Sequence, residues 1–355
     1  SRGLGDVYKR QVSRRSTFLP SLNKIQNETF FNLFRQYRHI STEEFLLSIG
    51  FTETEIETLT TEIGIVKQKK ETDFPTSASF IKLLLSDNFI NSYEQKRSEQ
   101  KENFKGYVSS FINQEEKRIA IVDVGWKGTI QDNIYSALGE RLAIDGFYIG
   151  LVVKPDNTSE KNNKKGLLFS AEKELQYASI FDENRSFFEV FFAANHGSAV
   201  SYKLQERGNI VADTEDFSNE INFYKSKIFP QIQSIMPVFK DICTLFNICC
   251  INNSDLLKLA AEKHARMFLF PNTEEVSWFT NLYHVENFGV FERSVFDKKS
   301  NDNSLFRKIN NYLDYKKNPE KFTKNVAWPV AELLKNNLAK AQNNYSQTKF
   351  NATFN

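Results

Sequence analysis

Residues 118–131 constrain the fold of this chain more than any other stretch. They open with the apolar, mostly β-branched run 119–122, a composition typical of a strand that is buried on both faces. Asp123 stands where such a strand would end, and a short segment with two glycines, Gly125 and Gly128, follows it. The order of a strand, a glycine loop and a helix is that of one half of a β-loop-α-β unit.

The helix after this loop is amphipathic. Thr129 stands at its start, and we expect this residue to cap it. Apolar side chains recur along one side of the helix at Ile130, Ile134, Tyr135 and Leu138. A second apolar run, residues 146–153, completes the unit. The sequence therefore predicts an α/β fold with a Rossmann-like, mostly parallel sheet, in which ligands bind beyond the carboxyl ends of the strands.

The composition favours helices over a turn-rich all-β fold. Among 355 residues there are 33 phenylalanines, against 14 glycines and 8 prolines. The net charge of +2 gives no reason to expect nucleic acid as a partner. No apolar run approaches the roughly 20 residues that span a bilayer, so we predict a cytoplasmic protein without a membrane span. We interpret Cys243, Cys249 and Cys250 as buried thiols of a reducing compartment rather than as disulfides.

The chain divides into three parts on these patterns. Residues 1–11 resemble an adaptor-derived peptide, so we expect them to be non-native and the chain to be a fragment. Residues 12–215 are predicted to form the α/β domain, with a strand end at 12–20 and a large helical insertion at about 23–113. Residues 216–355 are predicted to form a helical C-terminal region packed on that domain.

Local signals place further elements. Ser41 and Thr52 each precede a glutamate by three residues, which is the spacing of a capping box at a helix start. Past the central unit, a polar loop is expected at 154–165, a strand at 166–170 and a buried helix at 185–194. Residues 199–203 and 209–212 are expected to pair as a hairpin, with Gly208 in its turn.

The segment 123–129 is the strongest candidate for a binding site. Its glycines, Gly125 and Gly128, would let backbone N–H groups approach an anion, while Lys127 and the helix start at Thr129 would add favourable charge. Asp123 could orient a sugar hydroxyl. A Mg²⁺ ion bound together with a phosphorylated ligand is compatible with this interpretation. The alternative is a tight strand-to-helix turn whose glycines serve geometry alone.

Two adjacent arginines, Arg14 and Arg15, are the second half of the predicted site. At the end of a strand they could hold a phosphate or a carboxylate through forked hydrogen bonds. The alternative is a solvated basic turn. If both halves belong to one site, residues 12–20 and the strand before Asp123 should end side by side on adjacent parallel strands.

Glu189 and His196 lie about two helical turns apart, so both could face one side of a helix. With Asp123 they are the candidate catalytic groups, as an acid and a base or as polar groups that bind a sugar. The alternative is that Glu189 is a buried residue paired with an arginine, and that His196 lies in a loop and forms a capping hydrogen bond. The other histidines share no ligand spacing, so we predict no metal site formed by the chain alone.

Four motifs resemble the C-terminal region of predicted hydrolases of the HAD superfamily that accompany polysaccharide and lipopolysaccharide biosynthesis enzymes, some fused to glycosyltransferases. These motifs are residues 13–15, 122–131, 146–150 and 188–198, and Ala327-Trp-Pro329 fits the same pattern. In that family the catalytic domain precedes this region and carries an Asp-x-Asp nucleophile motif. Here Asp123 is followed by Val124, so the resemblance does not carry phosphatase chemistry to this chain.

A second resemblance is to type I phosphoribosyltransferases. In those enzymes, the loop that binds the sugar diphosphate also follows an apolar strand and precedes a helix. Residues 122–129 keep one acid, the last glycine and the threonine of that pattern, with Arg14 and Arg15 upstream. Val124 stands where the second acid would be. The resemblance implies transfer at a sugar-phosphate centre.

The sequence thus predicts an accessory domain that binds a phosphorylated sugar or a nucleotide-sugar at residues 123–129. One alternative is a phosphoribosyltransferase-like enzyme. Another is a non-catalytic scaffold that docks a HAD or glycosyltransferase module, for which Lys127 would be dispensable.

Overall fold

A computed structural model of the chain describes residues 11–112, 115–139, 141–153, 159–171, 176–193, 196–215, 218–280, 283–287, 291–295, 305–318, 328–336 and 338–354. It shows a mixed α/β protein, mainly helical, with one three-stranded parallel sheet and a helical C-terminal region. This architecture is Rossmann-like and confirms the predicted class. Most of residues 1–11 lie outside the described residues.

In the described chain, helices alone precede the sheet. They are α1 (Arg14–Ser21), α2 (Phe31–Phe34), α3 (Thr42–Ser48), α4 (Glu53–Glu62), α5 (Ala78–Leu84) and α6 (Asp87–Ser109). The predicted strand end at 12–20 is therefore wrong. The Ser13 and Ser16 side chains accept hydrogen bonds from each other's backbone N–H, a capping box that starts α1. The helical block comes before the sheet instead of interrupting it.

This block has an aromatic core. Its central rings lie edge to face, with centroids 5.1–6.1 Å apart, and are those of Phe30, Phe34, Phe45 and Phe80. Such contacts stabilise by about 0.5–1.5 kcal/mol each beyond the burial of their area. The predicted capping boxes at Ser41 and Thr52 start α3 and α4. The abundance of phenylalanine thus indicated the helical core correctly.

The predicted β-loop-α-β unit is present. Its elements are β1 (Arg118–Trp126), α7 (Thr129–Leu138) and β2 (Ala143–Leu151), and β3 (Asn162–Ser170) adds a third strand. The strands are parallel in the order β1-β2-β3. β3 contains the predicted strand 166–170 and begins earlier, within the predicted loop.

β1 is longer than the sequence predicted. Gly125 and Trp126 still pair with β2, so only Lys127 and Gly128 separate the strand from α7. The N-cap of α7 is Gly128, at φ 68°, and no side chain caps this helix end. The prediction that Thr129 caps the helix is wrong, because Thr129 is already its first residue.

Among the described residues, helices α6 and α7 pack on one face of the sheet. On that face Ile119 and Ile121 of β1 pack with α7 and with Phe104 of α6. On the opposite face Val122 is 80% exposed and Leu167 of β3 is 58% exposed. The prediction that β1 is buried on both faces is therefore wrong, since alternate side chains of a strand point to opposite faces and half of them meet no helix.

Two short helices and a hairpin follow. They are α8 (Ala178–Asp182), α9 (Arg185–Phe191), β4 (Ala199–Leu204) and β5 (Ile210–Thr214). The hairpin is confirmed, and Gly208 lies in its turn with φ 79°. The helix predicted at 185–194 ends at Phe191, and residues 194–195 lie outside the described residues.

The C-terminal region is helical apart from one unpredicted hairpin. Its elements are α10 (Ser218–Phe223), a π-helical turn (Tyr224–Ile228), α11 (Phe229–Ile248), α12 (Asn253–Leu269), α13 (Thr273–Thr280), β6 (Tyr283–Asn287), β7 (Phe291–Val295), α14 (Leu305–Lys317), α15 (Pro329–Lys335) and α16 (Ala339–Phe354). Trp328 anchors its core, since the indole is buried and donates a hydrogen bond of 2.9 Å to the Phe268 carbonyl.

None of the residues of helix α11 is buried. The prediction of buried thiols is wrong here: Cys249 and Cys250, just beyond the helix, are exposed, and Cys243 within it is partly exposed. Among the described residues, no helix combines the length and the apolarity needed to cross a membrane.

Candidate functional site

Two helix N-termini meet at the carboxyl end of β1. The Asn133 side chain of α7 donates a hydrogen bond of 3.2 Å to Thr17 of α1, and both groups are buried. Arg14, at the start of α1, lies close enough to Asp123 to influence its charge. The two helices therefore pack against each other. The start of α7, two residues after β1, brings the positive end of its backbone dipole to the carboxyl end of the strand.

Asp123 is the central group of this cluster. Burial raises the pKa of its carboxyl group, and hydrogen bonds from the Val124 and Gly125 backbone N–H groups oppose this shift. Arg14 also lowers the pKa, while the Glu189 carboxylate raises it. The net direction is upward. Asp123 thus holds its proton more readily than an ordinary aspartate, which suits a group that donates a hydrogen bond or a proton to a bound ligand.

Glu189 is held at the end of β1 by an aromatic residue. The Trp126 indole donates a hydrogen bond of 2.5 Å to the Glu189 carboxylate. The Trp126 ring stacks on Phe169 of β3 at 5.6 Å, and the Arg185 guanidinium lies 5.8 Å from its centroid. Because Arg185 and Glu189 are both on α9, Trp126 contacts this helix at two of its side chains. Glu189 also lies near enough to Asp123 to raise the pKa of that carboxyl group.

Arg15 forms an ion pair of 2.5 Å with Glu215, just after β5. Glu215 is in backbone contact with Gly197, because a Cβ atom at Gly197 would lie 1.7 Å from its carbonyl oxygen. His196 forms a local contact of 2.9 Å between Nδ1 and the Gly197 carbonyl. Arg15 therefore joins α1 to the end of the hairpin. The Arg14 guanidinium donates a hydrogen bond of 3.3 Å to Gln36 and also lowers the pKa of Asp123.

The predicted anion loop is smaller than the sequence indicated. Gly125 is a strand residue with φ 134°, and a Cβ atom there would lie 2.3 Å from the Gly150 carbonyl oxygen. Glycine is required at this position because the two strands approach each other closely, so its presence is not evidence for a ligand. Lys127, Gly128 and Thr129 remain as the turn into α7, with the uncapped helix end behind them.

A buried polar network beneath this turn escaped the sequence analysis. Lys164 of β3 is almost fully buried and pairs with Asp132 of α7 at 2.5 Å. Gln131 accepts a hydrogen bond of 2.7 Å from the Tyr148 hydroxyl and donates one of 2.7 Å to Asn162. One feature of the sequence indicates this network. Polar residues at 131–133 interrupt the apolar stripe of α7 where the helix should meet the sheet.

The proposed site residues thus fall into two groups around α1. Asp123, Glu189 and Arg14 share one side, while Arg15 and His196 belong to the contacts around Glu215. The prediction that residues 14–15 and Asp123 end adjacent parallel strands is wrong, because Arg14 and Arg15 begin α1; Arg14 influences the pKa of Asp123, while Arg15 pairs with Glu215.

Within the described part of the chain, no cluster of three or more His, Cys, Asp or Glu side chains could hold a metal ion. Mg²⁺ generally takes one or two carboxylates and completes its octahedron with water and phosphate oxygens. Asp123 and Glu189 could supply those two carboxylates. Asp123 is poorly suited to the task, however, since burial favours its protonated form.

No protein-family model matches the chain, and no curated protein matches it. The likeness to the HAD-associated region and to the phosphoribosyltransferases stays a prediction that rests on the motif residues.

Proposed function

We propose that the protein binds a phosphorylated sugar or a nucleotide-sugar at the carboxyl end of β1, as an accessory domain in polysaccharide biosynthesis. The observation that carries this proposal is the convergence of Arg14 and the start of α7 on Asp123. Guanidinium groups and helix N-termini both favour phosphate oxygens. A buried carboxyl group beside them favours a neighbouring hydroxyl, which a sugar provides.

Each group has a distinct role in this arrangement. Arg14, Lys127 and the first N–H groups of α7 bind the phosphate. Asp123 and Glu189 bind sugar hydroxyls through their carboxyl oxygen atoms, and burial raises the pKa of Asp123. If the bound ligand reacts, transfer at the sugar-phosphate centre fits these groups best, since Asp123 can supply a proton to a departing oxygen atom.

Isothermal titration of the protein with nucleotide-sugars and with phosphoribosyl diphosphate tests this function. We expect saturable binding that weakens about tenfold or more in Arg14→Gln and in Lys127→Ala, because a charge-assisted hydrogen bond contributes about 1.5–3 kcal/mol. Asp123→Asn should weaken nucleotide-sugars more than inorganic diphosphate. The matched control is Lys105→Ala, which removes an exposed lysine of α6 and should bind normally.

Absence of saturable binding in the unaltered protein would overturn the proposal. Binding that Lys127→Ala and Arg14→Gln leave unchanged would also overturn it. The scaffold alternative predicts no saturable binding and no effect of Lys127→Ala on partner capture.

A further inference from the structure

An exposed aromatic residue ends the helix on which Glu189 lies. Phe192 is the C-cap of α9, and its backbone N–H donates a hydrogen bond of 2.9 Å to the Phe188 carbonyl, so the helical spacing continues to this residue. Phe192 is 60% exposed. A flat apolar ring beside polar groups suits a ligand that has both a ring and hydroxyl groups.

The neighbouring aromatic rings are already packed within the protein. Trp126 stacks on Phe169 with ring centroids 5.6 Å apart, and the Arg185 guanidinium lies 5.8 Å from the centroid of the same indole. Phe188 lies parallel to the His264 ring at 5.5 Å. These rings pack against the core of the C-terminal region, whereas Phe192 leaves most of its surface to solvent.

Phe192 lies on the same side of α9 as polar groups of the candidate site. Residues three or four apart in a helix are neighbours, with Cβ atoms about 5–6 Å apart, and residues seven apart share a face two turns away. Phe192 comes three residues after Glu189 and seven after Arg185. Glu189 in turn accepts the Trp126 hydrogen bond and lies near Asp123. The ring therefore extends the site beyond Glu189.

The order of these groups matches the order of the parts of a nucleotide. The ribose of a nucleotide is bonded directly to its base, so a group that binds ribose hydroxyls and a ring that stacks on the base must be neighbours. Glu189 and Phe192 are such neighbours. A carboxylate accepts hydrogen bonds from hydroxyl groups, and every nucleobase has a flat face that can stack on phenylalanine. A sugar phosphate without a base has no such face.

We propose that the ligand is a nucleotide-sugar whose base stacks on Phe192 and whose ribose hydroxyls bind Glu189. This inference rests on the function proposed above and narrows its ligand from any phosphorylated sugar to one with a nucleobase. Phe192 is then a specificity-determining residue. It adds affinity for ligands that contain a base and none for ligands that lack one.

Ligands with and without a base test this inference. Uridine diphosphate glucose and guanosine diphosphate mannose contain a base, whereas phosphoribosyl diphosphate has only ribose and phosphates. In isothermal titration of the full chain, Phe192→Ala should weaken binding of the nucleotide-sugar about tenfold or more, the effect of losing one stacked base. The same variant should leave the affinity for phosphoribosyl diphosphate unchanged.

The matched control is Phe31→Ala. Phe31 of α2 is also 60% exposed, but it lies in the helical block. Its removal should leave the affinities for all three ligands unchanged. Two further variants separate stacking from packing: Phe192→Trp should keep the affinity for nucleotide-sugars, while Phe192→Leu, which stays apolar but cannot stack, should lose it as Phe192→Ala does. Circular dichroism should be unchanged in all of them, because both side chains are exposed.

The possible results separate this inference from the proposed function. Unchanged nucleotide-sugar binding in Phe192→Ala, or equal weakening of ligands with and without a base, would overturn the inference and leave the proposed function standing. Binding of phosphoribosyl diphosphate but of neither nucleotide-sugar would do the same. Absence of saturable binding of all three ligands by the unaltered protein would overturn both.

Discussion

Trp126 donates an indole hydrogen bond of 2.5 Å to Glu189, and this contact joins the last residue of β1 to α9. The sequence offered an arginine as the partner of a buried Glu189, and the structure provides a tryptophan from a different motif. Arg185 contacts the same indole from 5.8 Å. The carboxylate is thereby held near enough to raise the pKa of Asp123. The hydrogen bond from Trp126 thus keeps Glu189 near Asp123, the other acidic residue of the candidate site.

The neighbours of Asp123 should shift its pKa in opposite directions. Burial is the largest influence and raises it, while Arg14 lowers it and Glu189 raises it. Glu189→Gln should therefore lower the pKa of Asp123, and Arg14→Gln should raise it. Carboxyl ¹³C NMR titration of protein labelled at aspartate measures both. Arg38→Gln, in an exposed pair with Asp73, is the control and should leave Asp123 unchanged. Equal titration curves in all variants would refute this electrostatic coupling.

The glycines around the site should differ in their tolerance of a methyl group. Gly125→Ala meets the Gly150 carbonyl oxygen at 2.3 Å and has a positive φ, so we expect a loss of more than about 3 kcal/mol in unfolding free energy. Gly139→Ala, with φ 73° and no atom within 4 Å, should lower the unfolding free energy by only about 1–2 kcal/mol, the cost of alanine at a positive φ. Urea denaturation compares them. Equal losses would show that the two strands separate easily at Gly125.

The sequence predicted the β-loop-α-β unit because the spacing of apolar residues in β1, α7 and β2 follows from local geometry. Of the two arginines that it assigned to the site, Arg14 influences the pKa of Asp123 and Arg15 pairs with Glu215. It assigned the wrong element to 12–20, since the reciprocal contacts of Ser13 and Ser16 depend on backbone geometry. Val122 and the thiols at 243, 249 and 250 were predicted to be buried, yet Val122 is 80% exposed, Cys249 and Cys250 are exposed and Cys243 is partly exposed. An apolar side chain favours burial, but its position in the sequence does not show which other element covers it.

The ion pair beneath the turn should respond asymmetrically to the loss of either partner. Lys164 has a side-chain exposure of 5%, whereas that of Asp132 is 40%. Asp132→Asn leaves a buried ammonium group without its carboxylate and should cost about 3 kcal/mol of stability. Lys164→Met leaves a carboxylate that water can reach and should cost about 1 kcal/mol or less. Thermal and urea unfolding check the order. Greater damage from Lys164→Met would mean that the lysine has a further essential contact.

His264 should make the protein sensitive to acid. Burial among aromatic rings lowers its pKa to about 4, against the ordinary 6.5, although a hydrogen bond to the Ile180 carbonyl opposes the shift. Because its folded-state pKa is lowered, the unfolded chain takes up the proton first as the pH falls. Stability should therefore decrease between pH 6.5 and about 4, by about 3 kcal/mol at most, at about 1.4 kcal/mol per pKa unit.

His264→Phe isolates this effect, because phenylalanine keeps the ring packing and does not titrate. At pH 7.5 the variant should be less stable by about 1 kcal/mol, since the Ile180 carbonyl loses the hydrogen bond from His264 and keeps the one of 3.3 Å from Asn184. At pH 4.5 the difference should shrink or reverse. Urea unfolding at both values, followed by tryptophan fluorescence, measures it, with His39→Phe as the exposed control. A difference that is independent of pH would show that His264 is protonated equally easily in the folded and unfolded chains.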